Sequence, residues 1–97
     1  METPEAVFTL QQNYPNPFNP VTTIGYSLPS KMHVTLCIYD VSGAHVVTLV
    51  DGVKTMGSHF VQWYGRDTKG RTVPSGIYCL RLVAGDFVQT KKMVLLK

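Results

Sequence analysis

One proline-dense segment, Phe8–Pro20, constrains the fold of this chain more than any other feature of its sequence. Each of its three prolines follows a tyrosine or an asparagine. A proline ring fixes its own φ and keeps the preceding residue out of the helical region. The segment is therefore predicted to be stiff, extended and kinked, with Tyr14 and Phe18 as apolar anchors that close one end of the fold.

Length and composition predict one small globular domain. The 97 residues are 44% hydrophobic and 15% charged, which is not the balance of a disordered chain. A formal net charge of +3 is too small to indicate a nucleic-acid partner. Apolar runs extend over a few residues only, so no transmembrane segment is predicted.

The first residues are acidic and lack the apolar stretch of a signal peptide. Residues 1–7 are therefore interpreted as a linker or an expression remnant that starts at Met1, and residues 8–97 as the domain. If the protein is exported, its signal is expected upstream in a longer parent.

Apolar and polar residues alternate with a period of two, which predicts short strands. The clearest examples are Thr22–Leu28, His33–Asp40, Gly57–Tyr64 and Gly76–Ala84. About seven such strands, apolar on one side and separated by turn residues, predict an all-β antiparallel sandwich. Short turns at Val41–Ala44 and Ala84–Asp86 predict two hairpins.

Two stretches break this alternation. In His45–Val50 the apolar residues expected to face inward, Val46 and Leu49, are three apart, and in Phe87–Leu96 both phases are apolar. A bulge in each strand explains the pattern. A partner that covers part of the last strand explains the second case equally well.

Nothing in the sequence forms a recognisable catalytic or metal-binding motif. His33, His45 and His59 fall on separate predicted strands or hairpins, the first two at the surface and His59 half-buried beside Trp63. No nucleophile motif, phosphate-binding loop or close carboxylate pair accompanies them. The chain is therefore predicted not to be an enzyme and to bind no cofactor or metal.

Cys37 and Cys79 are predicted on the faces of their strands opposite the apolar residues. Adjacent strands could bring the thiols together, but a disulfide needs Cα atoms about 5.5 Å apart. Two unpaired thiols are the preferred interpretation, and a disulfide is the alternative.

The remaining polar features have structural interpretations. Asp51, Asp67 and Asp86 fall in predicted turns, which aspartate favours, and a calcium site is the weaker alternative. The long loop Gly65–Ser75 is predicted to be a plain crossover between two sheets, although loops of this length are often functional.

Outward-facing aromatic residues leave a second class of function open. Phe60, Tyr64 and Tyr39 are predicted to lie on outer faces of their strands. Aligned on one surface, they would form a platform for carbohydrate in an adhesion module, although isolated outward aromatics are ordinary on a sheet.

The complete pattern resembles the type A C-terminal sorting domain of the type IX secretion system. The matching residues run in order through Gln12–Pro20, Thr22–Ile24, Ile38–Asp40, Gly43, Leu49–Val50, Gly52, Gly57, His59, Trp63, Ser75–Gly76, Tyr78, Leu82, Gly85, Lys92–Leu95 and Lys97. Tyr64 departs from the acidic or amide residue that members commonly carry there. The module of flagellar hook-capping proteins is similar in fold, with a looser pattern.

This resemblance implies an immunoglobulin-like domain without catalysis or cofactor, which directs an upstream cargo domain through the outer-membrane translocon to the cell surface or medium. The implied partners are that translocon and its C-terminal signal peptidase. The residues expected to contact a partner are Lys91, Lys92, Met93, Val94, Leu95 and Lys97. The motif residues expected to have structural roles are Asn13, Tyr14, Pro15, Asn16, Pro17, Phe18, Asn19, Pro20, Trp63, Gly76 and Tyr78. Lys97 is expected to be the native carboxyl terminus, and the outer edge of Phe87–Lys97 is expected to accept strand pairing.

Overall fold

The computed structural model describes residues 7–97, and most of the predicted linker, residues 1–6, lies outside them. The described chain contains seven strands. Their bounds are β1 Thr9–Leu10, β2 Thr22–Leu28, β3 Met32–Asp40, β4 His45–Lys54, β5 Gly57–Trp63, β6 Gly76–Ala84 and β7 Phe87–Leu95. The alternation of apolar and polar residues thus predicted the strands well, with most of the differences at their ends.

The strands form two sheets with antiparallel pairing throughout. One sheet has the order β1-β2-β5 and the other has the order β4-β3-β6-β7. The all-β antiparallel sandwich of seven strands is confirmed, and so are the hairpins β3–β4 and β6–β7. No helix in residues 7–97 is long and apolar enough to cross a membrane.

The core lies between the inward faces of the two sheets. Ile24 of β2, Leu36 of β3 and Leu80 of β6 have no exposed surface. Every second residue along these strands is buried, as expected for strands with one face against a core. Burial of this apolar surface is the main stabilising contribution to the fold.

The bulge predicted in His45–Val50 is confirmed. The register of β3 against β4 shifts twice, and the two β4 residues left without a partner are Val46 and Leu49. These are the two residues whose three-residue spacing broke the alternation. Each extra residue bends the strand and restores the inward direction of the apolar side chains that follow.

Two local predictions were wrong. Asp51 and Gly52 lie inside β4, paired with β3, and not in a turn. The last strand has no bulge, because β7 pairs with β6 in one unbroken register. Met93 faces the core. The residues of the other apolar phase, which includes Val88, face outward, and Val88 is 50% exposed.

The loop Gly65–Ser75 joins β5 of one sheet to β6 of the other, so the crossover prediction is confirmed. Asp67 organises the loop. Its Oδ1 accepts hydrogen bonds from the backbone N–H groups of Lys69 and Arg71, and its Oδ2 accepts one from Arg71 Nε. The predicted turn role of Asp67 is therefore confirmed.

We expect the Asp67 carboxyl group to titrate below its ordinary value of 3.8, because the backbone N–H of Arg71 holds its pKa down. The loop contact then stabilises the fold above pH 3.8 and is lost as the pH falls through the lowered pKa. An NMR titration of the side-chain carbon would measure this value, with the urea-unfolded chain as the control. Equal midpoints in the two states would contradict the expectation.

Candidate recognition site

The proline-dense segment lies along the outer edge of β7. We call Gln12–Pro20 the Asn-Pro segment. Its Phe18 N–H donates to the Val94 carbonyl at 2.9 Å, and the Phe18 carbonyl accepts from the Leu96 N–H at 3.0 Å. Phe18 thus pairs in parallel with Leu95. The Asn-Pro segment and the Lys92–Leu95 stretch, far apart in sequence, thus lie side by side.

Side chains of the same segment extend this contact along β7. The Asn16 Oδ1 accepts a hydrogen bond from the Val94 N–H at 2.9 Å. The Gln12 Nε2 donates to the Lys92 carbonyl at 2.6 Å. Since both side chains satisfy backbone groups, they hold the β7 edge without depending on the identity of the β7 side chains.

A buried polar network shapes the beginning of the segment. Asn13, which is 2% exposed, donates through Nδ2 to the Pro15 carbonyl at 3.1 Å and to the Thr22 Oγ1 at 2.9 Å. Its Oδ1 accepts from Gln12 Nε2 at 2.7 Å. Because every polar atom of this side chain has a partner, the cost of burying it is offset and the kink at Pro15 is fixed.

Phe18 and Tyr14 behave differently, although both were predicted as anchors. Phe18 is 2% exposed, which confirms its anchoring role. Tyr14 is 80% exposed, so its predicted role was wrong. The backbone of Tyr14 explains the difference: its N–H and carbonyl both pair with Thr23, which turns the tyrosine ring toward solvent.

An aromatic cluster holds Phe18 in the core. The Phe18 ring lies 5.5 Å from Trp63, and Trp63 lies 5.3 Å from Tyr78 in an edge-on arrangement. Trp63 Nε1 donates to the Arg66 carbonyl, and the Tyr78 hydroxyl donates to the Pro74 carbonyl. Aromatic residues are well suited to such positions, since an apolar ring fills the core while its polar atom finds a backbone partner.

Gly76 completes the cluster on the β6 side, opposite Leu95 of β7. The predicted motif residues Trp63, Gly76 and Tyr78 therefore gather at the end of the sandwich where Phe18 meets β7. Burial raises the pKa of the Tyr78 hydroxyl, and the negative charge of Asp40 adds to this effect.

The six residues predicted to contact a partner divide into two groups. Met93 and Leu95 have no exposed surface, so a partner cannot touch their side chains in this fold. Lys92 and Lys97 are exposed, while Lys91 and Val94 are half-buried. Leu96, which is 52% exposed, joins this surface and was not among the predicted residues.

The predicted strand pairing at the outer edge of β7 is wrong for the half that follows Thr90. The backbone groups of Val94, the Lys92 carbonyl and the Leu96 N–H are already bonded to the Asn-Pro segment. This half of the edge therefore presents mainly side chains and charge to a partner, because most of its outward backbone groups are bonded.

Three lysines lie on β7 or just after it. In the part of the chain that the structure describes, Lys91, Lys92 and Lys97 form no ion pair; the pairs there are His33–Asp51 and Arg71–Asp67. The Lys97 N–H donates to Ser75 Oγ, which fixes the backbone beyond β7.

The other candidate residues are dispersed. His33 and His45 are exposed and His59 is half-buried against Tyr26, as predicted. Within residues 7–97, no three histidine, cysteine or acidic side chains come together as a metal site would require. Across β3 and β6, Cys37 faces Arg81, so the two thiols are offset by two residues and remain free as predicted.

The outward aromatic residues do not form one platform. Phe60 and Tyr64 are 69% and 53% exposed at the three-stranded sheet, as predicted. Tyr39 lies on the other sheet, half-buried, with its ring edge-on to His45 at 5.8 Å.

Comparison with known proteins places this sandwich in a family. The family model of the FlgD Ig-like domain matches residues 19–86, which is more than half of the chain. The fold is thus an immunoglobulin-like β-sandwich, and the chain belongs to the FlgD Ig-like domain family. No curated protein matches the sequence significantly.

Solved structures that share the fold include PorU, PorZ and FlgD. PorU of Porphyromonas gingivalis, solved as a dimeric latent form, has a TM-score of 0.76 at 22% identity over 93% of this chain and 9% of its own. PorZ of the same organism has a TM-score of 0.62 at 20% identity, covering 89% of this chain and 11% of its own. FlgD of P. aeruginosa has a TM-score of 0.60 at 24% identity, and the match covers 76% of this chain and 57% of FlgD. The chain thus spans about a tenth of the length of PorU or PorZ.

Proposed function

We propose that this domain is a non-catalytic sorting signal, which directs an upstream cargo through the type IX outer-membrane translocon for attachment to the cell surface or release. The fold relationship to PorZ, an essential bacterial surface component of the type IX secretion system, supports this proposal. So does the sequence resemblance to type A sorting domains. In this proposal the C-terminal signal peptidase of the system is a second partner.

The observation that carries the proposal is the contact between the Asn-Pro segment and β7. The FlgD Ig-like match begins after Phe18 and ends before Phe87. Phe18 and β7 lie outside the match, so a function common to Ig-like domains does not explain them. These two parts bind each other through Phe18, Val94 and Leu96. A receptor that reads this combined surface would recognise a folded domain independently of its cargo.

In this mechanism, Lys91, Lys92 and Lys97 steer the domain toward an acidic receptor surface, and Leu96 supplies an exposed apolar contact. Met93 and Leu95 contribute indirectly, since their burial holds β7 in place. Removing the whole last strand would therefore destroy the core together with the signal, so point substitutions provide the sharper test.

The test is export of a folded reporter fused ahead of the 97-residue chain, in a host with a type IX apparatus. The double variant Lys91→Ala/Lys92→Ala is expected to reduce surface delivery about tenfold, because long-range attraction raises association rates by roughly that factor or more. The matched control, Lys31→Ala/Lys69→Ala, removes the same charge from exposed positions elsewhere.

Circular dichroism of each purified domain confirms that the variants fold. Periplasmic retention of the wild-type fusion would remove the sorting proposal for that apparatus. Equal export of both double variants would keep the sorting function and eliminate lysine steering.

A further inference from the structure

Within residues 7–97, the sheet edge that is open along its whole length is the one formed by β5. The other three edges are protected in different ways. The edge strand β1 has only two residues, and β4 carries two bulges and the charges of Asp51 and Lys54. The Asn-Pro segment covers half of β7. Proteins protect exposed edges by such means, because an unprotected edge pairs with other strands. β5 has seven residues, with no proline, no bulge and no Asp, Glu, Lys or Arg.

The hydrogen bonds of β2 show which backbone groups of β5 are free. The N–H and carbonyl of Thr23 bond to Tyr14, and the Gly25 carbonyl accepts from Gln11. Odd-numbered β2 residues therefore point away from β5, and the even-numbered Ile24 and Tyr26 point toward it, since these directions alternate along a strand.

The partners of Ile24 and Tyr26 in β5 are Val61 and His59, which use their backbone groups within the sheet. Ser58, Phe60 and Gln62 consequently direct their N–H and carbonyl groups to the open edge. Within residues 7–97, no hydrogen bond reaches these outward backbone groups. Three successive pairs of donor and acceptor are thus available to an incoming strand.

The side chains along this edge are self-complementary about Phe60. Antiparallel pairing of two copies around a twofold axis places Phe60 opposite the partner's Phe60 and Ser58 opposite the partner's Gln62. Continued outward, the same register brings Tyr64 toward the partner's Met56. These large side chains, Met56, Phe60 and Tyr64, are 61%, 69% and 53% exposed in the single chain.

The Phe60–Phe60 and Tyr64–Met56 pairs are of types that stabilise antiparallel sheets. Aromatic pairs across antiparallel strands stabilise sheets, and a methionine sulfur packs well against an aromatic ring. The Phe60 ring lies over Gly25, where a side-chain Cβ would come within 3.0 Å of its Cε1. The uncharged strand lets two copies of a chain with net charge +3 meet without direct repulsion.

We infer that β5 is a homodimerisation edge, at which two copies of this chain pair antiparallel about Phe60 and join their three-stranded sheets into one continuous sheet. The partner this edge fits best is a second copy, since the positions related by the twofold axis match apolar with apolar and polar with polar.

The test is sedimentation velocity of the whole chain over a concentration series. The wild type is expected to pass from monomer to dimer. The Phe60→Lys variant, which places like charges opposite each other, is expected to raise the dissociation constant more than about tenfold. The matched control Val88→Lys adds the same charge on the exposed face of β7 and is expected to dimerise as the wild type does.

Amide hydrogen exchange locates the interface. As concentration rises, the amides of Ser58, Phe60 and Gln62 are expected to become protected, while those of Val88 and Thr90 do not. A second variant, Ser58→Pro, removes one outward N–H at a position where an edge strand tolerates proline, and is expected to weaken dimerisation. A monomer at all concentrations, protection elsewhere, or equal dimerisation by wild type and Phe60→Lys would overturn the inference.

Discussion

Replacing Phe18 with alanine is expected to lower the free energy of unfolding by about 3 to 5 kcal/mol, the range for removing a buried aromatic side chain. The side chain is 2% exposed and packs 5.5 Å from the Trp63 ring. A cavity there would remove support from Trp63 and from the Leu95 backbone that pairs with Phe18. Urea unfolding monitored by tryptophan fluorescence would measure the loss directly.

The matched control is Tyr14→Ala in the same segment. Because the Tyr14 ring is 80% exposed, this change is expected to cost less than about 1 kcal/mol. Similar losses for both variants would contradict the assignment of Phe18 as the single aromatic anchor of the segment.

Replacing Asn13 with aspartate is expected to cost about 3 kcal/mol or more at neutral pH. The change removes the Nδ2 donor from the Pro15 carbonyl and Thr22 Oγ1, and it places a negative charge at a site that is 2% exposed. Loss of a buried partner together with burial of a charge is among the most destabilising changes in a fold. Asn19→Asp, at an exposed position of the same segment, is the control and is expected to be nearly neutral.

The pH dependence of the free energy of unfolding provides a second test of the Asn13→Asp variant. Burial would raise the pKa of the introduced carboxyl group above its unfolded value of about 3.9. The deficit relative to the wild type is then smallest below about pH 4, where the group is protonated in both states, and increases as the pH rises through the folded pKa. A deficit that does not change with pH would show that lost donors, and not charge burial, dominate.

Local pattern in the sequence was sufficient for most of the fold. Strand alternation predicted β2 and β6 to their ends, and the broken spacing of Val46 and Leu49 predicted the bulges of β4. The same argument failed for β7, because its second apolar phase comes from outward-facing residues such as Val88, which is 50% exposed, and not from a change of register. Apolar residues in both phases of a strand do not distinguish these two causes.

Long-range contacts limited prediction of the site. The sequence marked the Asn-Pro segment and Lys92–Leu95 as separate features, and nothing local indicates that Gln12 and Asn16 bond to β7. These pairs join residues 80 and 78 positions apart in the chain. Tyr14 and Phe18 look equivalent as aromatic residues beside prolines, and only the pairing of Tyr14 with Thr23 decides which ring faces solvent.

The contact between the Asn-Pro segment and β7 has a consequence for biosynthesis. A ribosome makes Phe18 well before the backbone groups that bind it, on Val94 and Leu96. While the chain is growing, the Phe18 ring and the Trp63–Tyr78 cluster lack the strand that encloses them. The surface formed by the two segments therefore arises only after β7 has been synthesised, so an incomplete chain cannot display it.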